Sequence, residues 1–171
     1  LADFWEANLN RVDFSDGILR EADLRRASAR SADFTGASLY GAKLGRTDLT
    51  GADLTGANIT ANYDLAFGIV TSANLTGATL TSANLSSANL TNATLTGATL
   101  NSATLTGTNL TNANLTDVVA TSANLTNANL TNANLTNANL TSSTFTSANL
   151  TNTNLTGADL ASATATPATF T

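Results

Sequence analysis

The sequence predicts an all-β fold, a four-sided parallel β-helix of about eight to nine coils. Three observations point there. A large apolar residue recurs at every fifth position, as at Leu125, Leu130, Leu135 and Leu140 of TSANLTNANLTNANLTNANL, residues 121–140. Alanine stands two places before it and asparagine one place before. Glycine and asparagine gather two places after it. With the large residue labelled i, the unit reads Ala(i−2), Asn(i−1), Leu(i), Thr(i+1), then Ser, Asn or Gly at i+2.

No helix can use this unit. Five residues advance about 500° around a helix axis, which would set successive leucines about 140° apart. A straight strand fails too, because an odd period sends alternate leucines to opposite faces. A short extended segment with a corner every five residues fits. Ala(i−2) and Leu(i) then point inward, Asn(i−1) points outward, and i+1 and i+2 turn the chain. Four corners close a coil of about twenty residues, and the next coil stacks about 4.8 Å above it. Gly36, Gly41, Gly51, Gly56, Gly77, Gly97, Gly107 and Gly157 all fall at i+2, with Asn92, Asn112, Asn127, Asn132 and Asn137. Both residue types tolerate positive φ, as the third place of a type II turn requires.

Ala22-Asp23-Leu24, Ala52-Asp53-Leu54, Ala73-Asn74-Leu75 and Ala158-Asp159-Leu160 match the motif A(D/N)LXX. The chain thereby resembles the pentapeptide repeat family along essentially its whole length. The resemblance implies a right-handed quadrilateral β-helix. A disordered or amyloid-prone Asn/Thr tract is the alternative, but such tracts do not hold leucine in strict phase.

Residues 1–171 read as a single solenoid about 40 Å long. The leucines of one coil cannot offset the ordering of its own backbone, so the coils must stabilise one another. Residues 1–60 keep one frame: Phe4, Leu9, Phe14, Leu19, Leu24, Ala29, Phe34, Leu39, Leu44, Leu49, Leu54 and Ile59. The frame slips by one within residues 59–70, read as a corner bulge, with display of Tyr63 or Phe67 to a partner as the alternative. Leu65, Val70 and Leu75 open a second, Thr/Asn-rich phase over residues 65–171, which runs to Phe170. Asp117-Val118-Val119-Ala120 keeps that frame and reads as a tolerated substitution.

Charge divides the two phases. The net charge is −5, yet all seven cations precede residue 47: Arg11, Arg20, Arg25, Arg26, Arg30, Lys43 and Arg46. Past Asp64 the only charges are Asp117 and Asp159. Adding twenty to a residue number gives its upstairs neighbour. Trp5 then lies under Arg25, Glu6 under Arg26 and Arg46, and Arg20 under Tyr40. With Lys43 and Arg30 at its border, this is a basic-aromatic corner suited to docking an acidic protein surface. The plainer reading is a set of exposed charges that pair weakly with Glu6 and Glu21. Asp13, Asp33 and Asp53 form an outward column of like charges, read as the ordinary i−1 acid, with an acidic strip that mimics nucleic-acid phosphates or a weak cation site as the alternative. Thr71, Thr91, Thr111, Thr131, Thr151 and Thr171 form one hydroxyl column, and Thr76, Thr96, Thr116, Thr136 and Thr156 another. Stacked asparagines beside them are expected to hydrogen-bond along the axis.

Catalysis is not expected. There is no His and no Cys, which removes the usual general base, the thiol nucleophile and the best metal ligands. The remaining carboxylates line convex faces, and no cofactor or metal is implied. The expected function is that of a non-enzymatic scaffold that links or stiffens a larger assembly. The family's abundance in cyanobacteria makes a bacterial assembly the analogous setting. One alternative is the topoisomerase (gyrase) inhibition by DNA mimicry that the resemblance brings with it; another is ice binding through the threonine columns. The partner is expected to be protein rather than nucleic acid, since the basic patch is small and the chain acidic. End-to-end pairing of terminal coils, with Phe170 contributing, would give a homodimer.

No apolar run approaches the length of a membrane span, and no signal peptide is read in these residues. Without cysteine the redox compartment is open. The repeated Asn-Leu-Thr triplets would be crowded as glycosylation sequons, which favours a bacterial or organellar setting. The chain has no methionine and Leu1 begins inside a repeat, so it reads as a fragment or processed product, with no N-terminal cap and a degenerate last turn near Pro167.

Overall fold

The computed structural model describes residues 1–60 and 72–169. Each repeat contributes one residue, the one at i−1, to an isolated parallel β-bridge, and two, i+1 and i+2, to a turn. The bridges join positions twenty apart: Asp3 to Asp23, Asp13 to Asp33 to Asp53, Asn114 to Asn134 to Asn154. The chain is therefore the four-sided coil that the five-residue period requires. Leucines at i and alanines at i−2 fill its interior, and Leu130 and Leu135 are fully buried. Phe14 stacks on Phe34, twenty residues on, with ring centroids 5.1 Å apart, while Phe4 meets Phe14 edge-on at 5.7 Å.

The backbone donors of one repeat show what holds the coils together. The Asn129 N–H donates down to Thr108 O at 2.9 Å. The Leu130 and Asn132 N–H groups donate up to Asn149 O and Thr151 O, at 2.7 and 2.9 Å. The Ala133 N–H closes the corner on Leu130 O at 2.9 Å. Thr131, at i+1, is left without a backbone acceptor, and its N–H donates to the Asn129 side-chain Oδ1 at 3.1 Å. The acid or amide at i−1 thus completes the donor accounting of its own repeat. The same bond recurs from Thr35 to Asp33 and from Thr126 to Asn124. Where i−1 is Ser28 or Val119, the acceptor comes from the coil below. Asn10 Oδ1 serves the Arg30 N–H, and Asn101 Oδ1 serves the Thr121 N–H.

The corners carry positive φ at i+2 and an i to i+3 hydrogen bond, the pattern of a type II turn. Asn132 has φ of 58° and Gly56 of 66°. In the first phase the same place is held by Glu6, Arg11, Asp16, Glu21, Arg26, Ser31 and Arg46, all at positive φ. Each bears a local cost of about 1 kcal/mol that the stacked coils override.

Inward hydroxyls find carbonyls. Thr47 and Thr108, at alanine positions, donate to Leu24 O and Leu85 O, each at 2.8 Å. At the Asp117 irregularity the volumes are exchanged: Val118 fills the alanine place and Ala120 the leucine place, both buried. The frame there is kept, since Val119 bridges to Asn139.

At the junction of the two phases, the ladder pairs Asp48 with Asn74, Asp53 with Thr79 and Asn58 with Asn84. The offset is twenty-six, where a one-residue insertion into a twenty-residue coil would give twenty-one. The junction therefore adds six residues to the regular spacing of twenty. Tyr63, Phe67, Leu65, Val70 and Thr71 lie outside the described residues, as do Phe170 and Thr171.

If the side chain at i−1 serves the i+1 donor, Asn124→Ala should cost about 1 kcal/mol in urea unfolding, while Asn124→Asp, which keeps the acceptor, should cost under about 0.5 kcal/mol. Equal costs would contradict the assignment.

Candidate functional site

Three consecutive coils build one corner from Phe4, Leu24 and Leu44 at i. The i+1 column above it reads Trp5, Arg25, Gly45, and the i+2 column reads Glu6, Arg26, Arg46. Trp5 is 44% exposed. The Arg25 guanidinium lies over its ring, with Cζ 4.6 Å from the centroid, and that of Arg26 lies at 6.0 Å. Arg25 is held in place by Asp23, to which Nε donates at 2.9 Å and Nη2 at 2.5 Å. Arg26 Nη1 donates to Glu6 Oε1 at 2.8 Å, both side chains being about half exposed. Arg46 forms no ion pair among the described residues.

Trp5, Arg25, Arg26, Gly45 and Arg46 line a hollow of about 330 Å³. Gly45, which continues the column of Trp5 and Arg25, is buried. Adding twenty anticipated the stacking of Arg25 on Trp5 and of Arg26 on Glu6 but did not single out Gly45. The signal was present: most glycines of the chain sit at i+2, whereas Gly45 sits at i+1.

The remaining members of the expected patch lie around this corner rather than in it. Arg20 covers Tyr40 at 5.0 Å on the preceding corner. Lys43 is exposed on the intervening face, in the column Asp3, Asp23, Lys43. Arg30 lies on the following corner, where its Nε is 3.8 Å from Asp48 Oδ2. The surface is one basic-aromatic hollow with a cation on each flank.

The other columns are structural. Asp13, Asp33 and Asp53 do stack, and each Oδ1 accepts the N–H two residues on, at 2.8, 2.8 and 2.9 Å. The threonine hydroxyls are committed: Thr116 Oγ1 donates to Asn114 Oδ1 at 2.7 Å and accepts from Asn134 Nδ2 at 3.0 Å. The i−1 amides thus bond diagonally to threonine, not to each other as the stacked-amide expectation had it. An amide ladder does run along the axis, but at i+2: Asn152 to Asn132 to Asn112 to Asn92, at 3.2, 3.1 and 3.1 Å. Among the described residues no three carboxylates are placed to hold a metal, and no helix is long and apolar enough to cross a membrane.

The hydrogen-bonded Arg25 side chain holds the Asp23 carboxyl below its ordinary value, against the upward push of burial, with the charges of Arg25 and Lys43 adding to the effect. The Ser15 hydroxyl and N–H lower that of Asp13. Because both folded values are depressed, the unfolded chain binds more protons in acid. Their contribution is complete above the unfolded carboxylate range near about pH 4 and is lost as pH falls through the folded values. Thermal melts between about pH 5 and about pH 2 should therefore fall more steeply for the native chain than for Asp23→Asn. Parallel acid limbs would show that Asp23 is not coupled to folding.

Pentapeptide repeats, in eight copies, match residues 7–46, 32–60, 64–97, 73–112, 98–137 and 123–161. No curated protein matches the sequence. Among solved structures, a trypsin-treated form of QnrB1, a plasmid-mediated fluoroquinolone resistance protein, has a TM-score of 0.67 at 17% identity, covering 94% of this chain and 83% of its own. At that identity the likeness shows the fold. HetL, a pentapeptide repeat protein involved in heterocyst differentiation regulation in the cyanobacterium Nostoc sp. strain PCC 7120, is 34% identical, with 97% and 75% covered and a TM-score of 0.47. A pentapeptide repeat protein of the Arabidopsis thaliana thylakoid lumen is 38% identical, with 65% and 66% covered and a TM-score of 0.27.

Proposed function

The chain belongs to the pentapeptide repeat family, whose fold is the right-handed quadrilateral β-helix, and on that premise we propose that it is a non-catalytic scaffold that docks a protein partner through its N-terminal coils. The observation that carries this reading is the half-exposed Trp5 beneath two guanidinium groups, on the coils that hold all seven cations. Aromatic and arginine side chains are the usual anchors of protein interfaces. A rod stiffened by backbone ladders along its length holds such a corner at a fixed place, which suits linking or bracing a larger assembly.

Two other roles fit less well. A mimic of DNA needs an acidic rod, and beyond residue 72 the only charges are Asp117 and Asp159. Ice binding needs hydroxyls free to order water, and the Thr111, Thr116 and Thr131 hydroxyls each serve two asparagines.

The test is sedimentation of the protein from the cells that make it. The native chain should travel in a larger complex at low salt and be released at high salt. A chain with Trp5→Ala and Arg46→Glu should keep its dichroism spectrum and melting temperature but sediment free. A native chain recovered free at low salt would end this reading.

A further inference from the structure

We infer that the hollow between Trp5 and Arg46 takes one acidic side chain of the partner, and that Glu6 is an internal competitor for it. The inference rests on the docking role above and specifies the chemistry of that surface.

Charge complementarity selects the occupant. Three guanidinium groups border the hollow, and they differ in state. Arg25 is committed to Asp23 through two nitrogens and serves as a fixed wall against Trp5. Arg26 is engaged by Glu6 through a contact open to water. Arg46 has no ion-pair partner among the described residues and is the cation a ligand meets first. A small inorganic anion would use the arginines but leave the exposed Trp5 ring idle. An acidic residue in a peptide uses both, its methylene stem against the ring and its carboxylate on Arg46.

Glu6 already presents a carboxylate to this corner, with Oε1 2.8 Å from Arg26 Nη1. It is about half exposed, so little holds it there, and an incoming acid can displace it. Glu6 therefore lowers affinity for an acidic partner without closing the site. Residues Glu6, Arg26 and Arg46 all sit at positive φ, with φ of 56°, 61° and 60°, which fixes their backbones in one outward row.

Trp5 is the only tryptophan of the chain, so its fluorescence reports on the hollow directly. A terminally blocked hexaglutamate peptide should perturb it saturably at low salt, whereas hexaglutamine should not. Arg46→Gln should weaken binding by roughly fivefold or more, and Glu6→Gln should tighten it by roughly two- to fivefold. Equal binding by Arg46→Gln, no effect of Glu6→Gln, or the same response to inorganic phosphate alone would overturn the inference. If hexaglutamate fails but the native complex still dissociates on Trp5→Ala with Arg46→Glu, the corner docks a partner by other chemistry and only this inference falls. If both fail, the docking role falls with it.

Discussion

The hydrogen-bond ladder between coils twenty residues apart is the constraint on which the remaining structure depends. A single coil closes its corners with its own Ala(i+3) to Leu(i) bonds, but three of the five N–H groups in each repeat reach into a neighbouring coil. The interior is too narrow for a conventional core, and leucine and alanine fill it only because the coils above and below complete each cavity wall. Side chains that the ladder stacks in columns inherit its spacing. That is why Arg25 lands on Trp5 and Arg20 on Tyr40.

The ladder also explains the motif itself. Outward residues of a β-helix are free to vary unless they do something for the backbone. Position i−1 favours Asp or Asn, whose side chain meets the i+1 N–H that has no carbonyl partner, although Thr stands there at Thr79, Thr94, Thr99 and Thr104. Serine and valine are accepted there at Ser28 and Val119, where an asparagine one coil below supplies the oxygen. The strained i+2 position favours Gly and Asn, yet it admits Glu and Arg in the first phase.

Much of this was legible in the sequence. An odd period with leucine in phase leaves few geometries, and adding twenty placed the Trp5, Arg25, Arg26 and Arg46 cluster, the Asp13 column and the threonine columns. What the column rule could not show was any contact a side chain makes with its own repeat. Asp33 looked like a repelling surface charge, and only its rotamer reveals an acceptor turned back on the Thr35 N–H. Likewise Arg25 pairs with Asp23, two residues before it. The junction offset of twenty-six was hidden because a slip of one and a slip of six leave the same five-residue phase.

Cross-linking at the twenty-residue spacing tests this ladder most directly, and the chain offers a clean background because it has no cysteine. Thr99 and Val119 form a bridge pair, whereas Thr99 and Thr104 stand one repeat apart on successive sides of the coil. Stacked strands lie about 4.8 Å apart, within the Cα separation of about 4.4–6.8 Å that a disulfide spans. Oxidation should join Thr99→Cys with Val119→Cys rapidly and in high yield, and should leave Thr99→Cys with Thr104→Cys reduced. Preferential joining of the pair one repeat apart would contradict the four-sided coil, and with it every column built on that spacing.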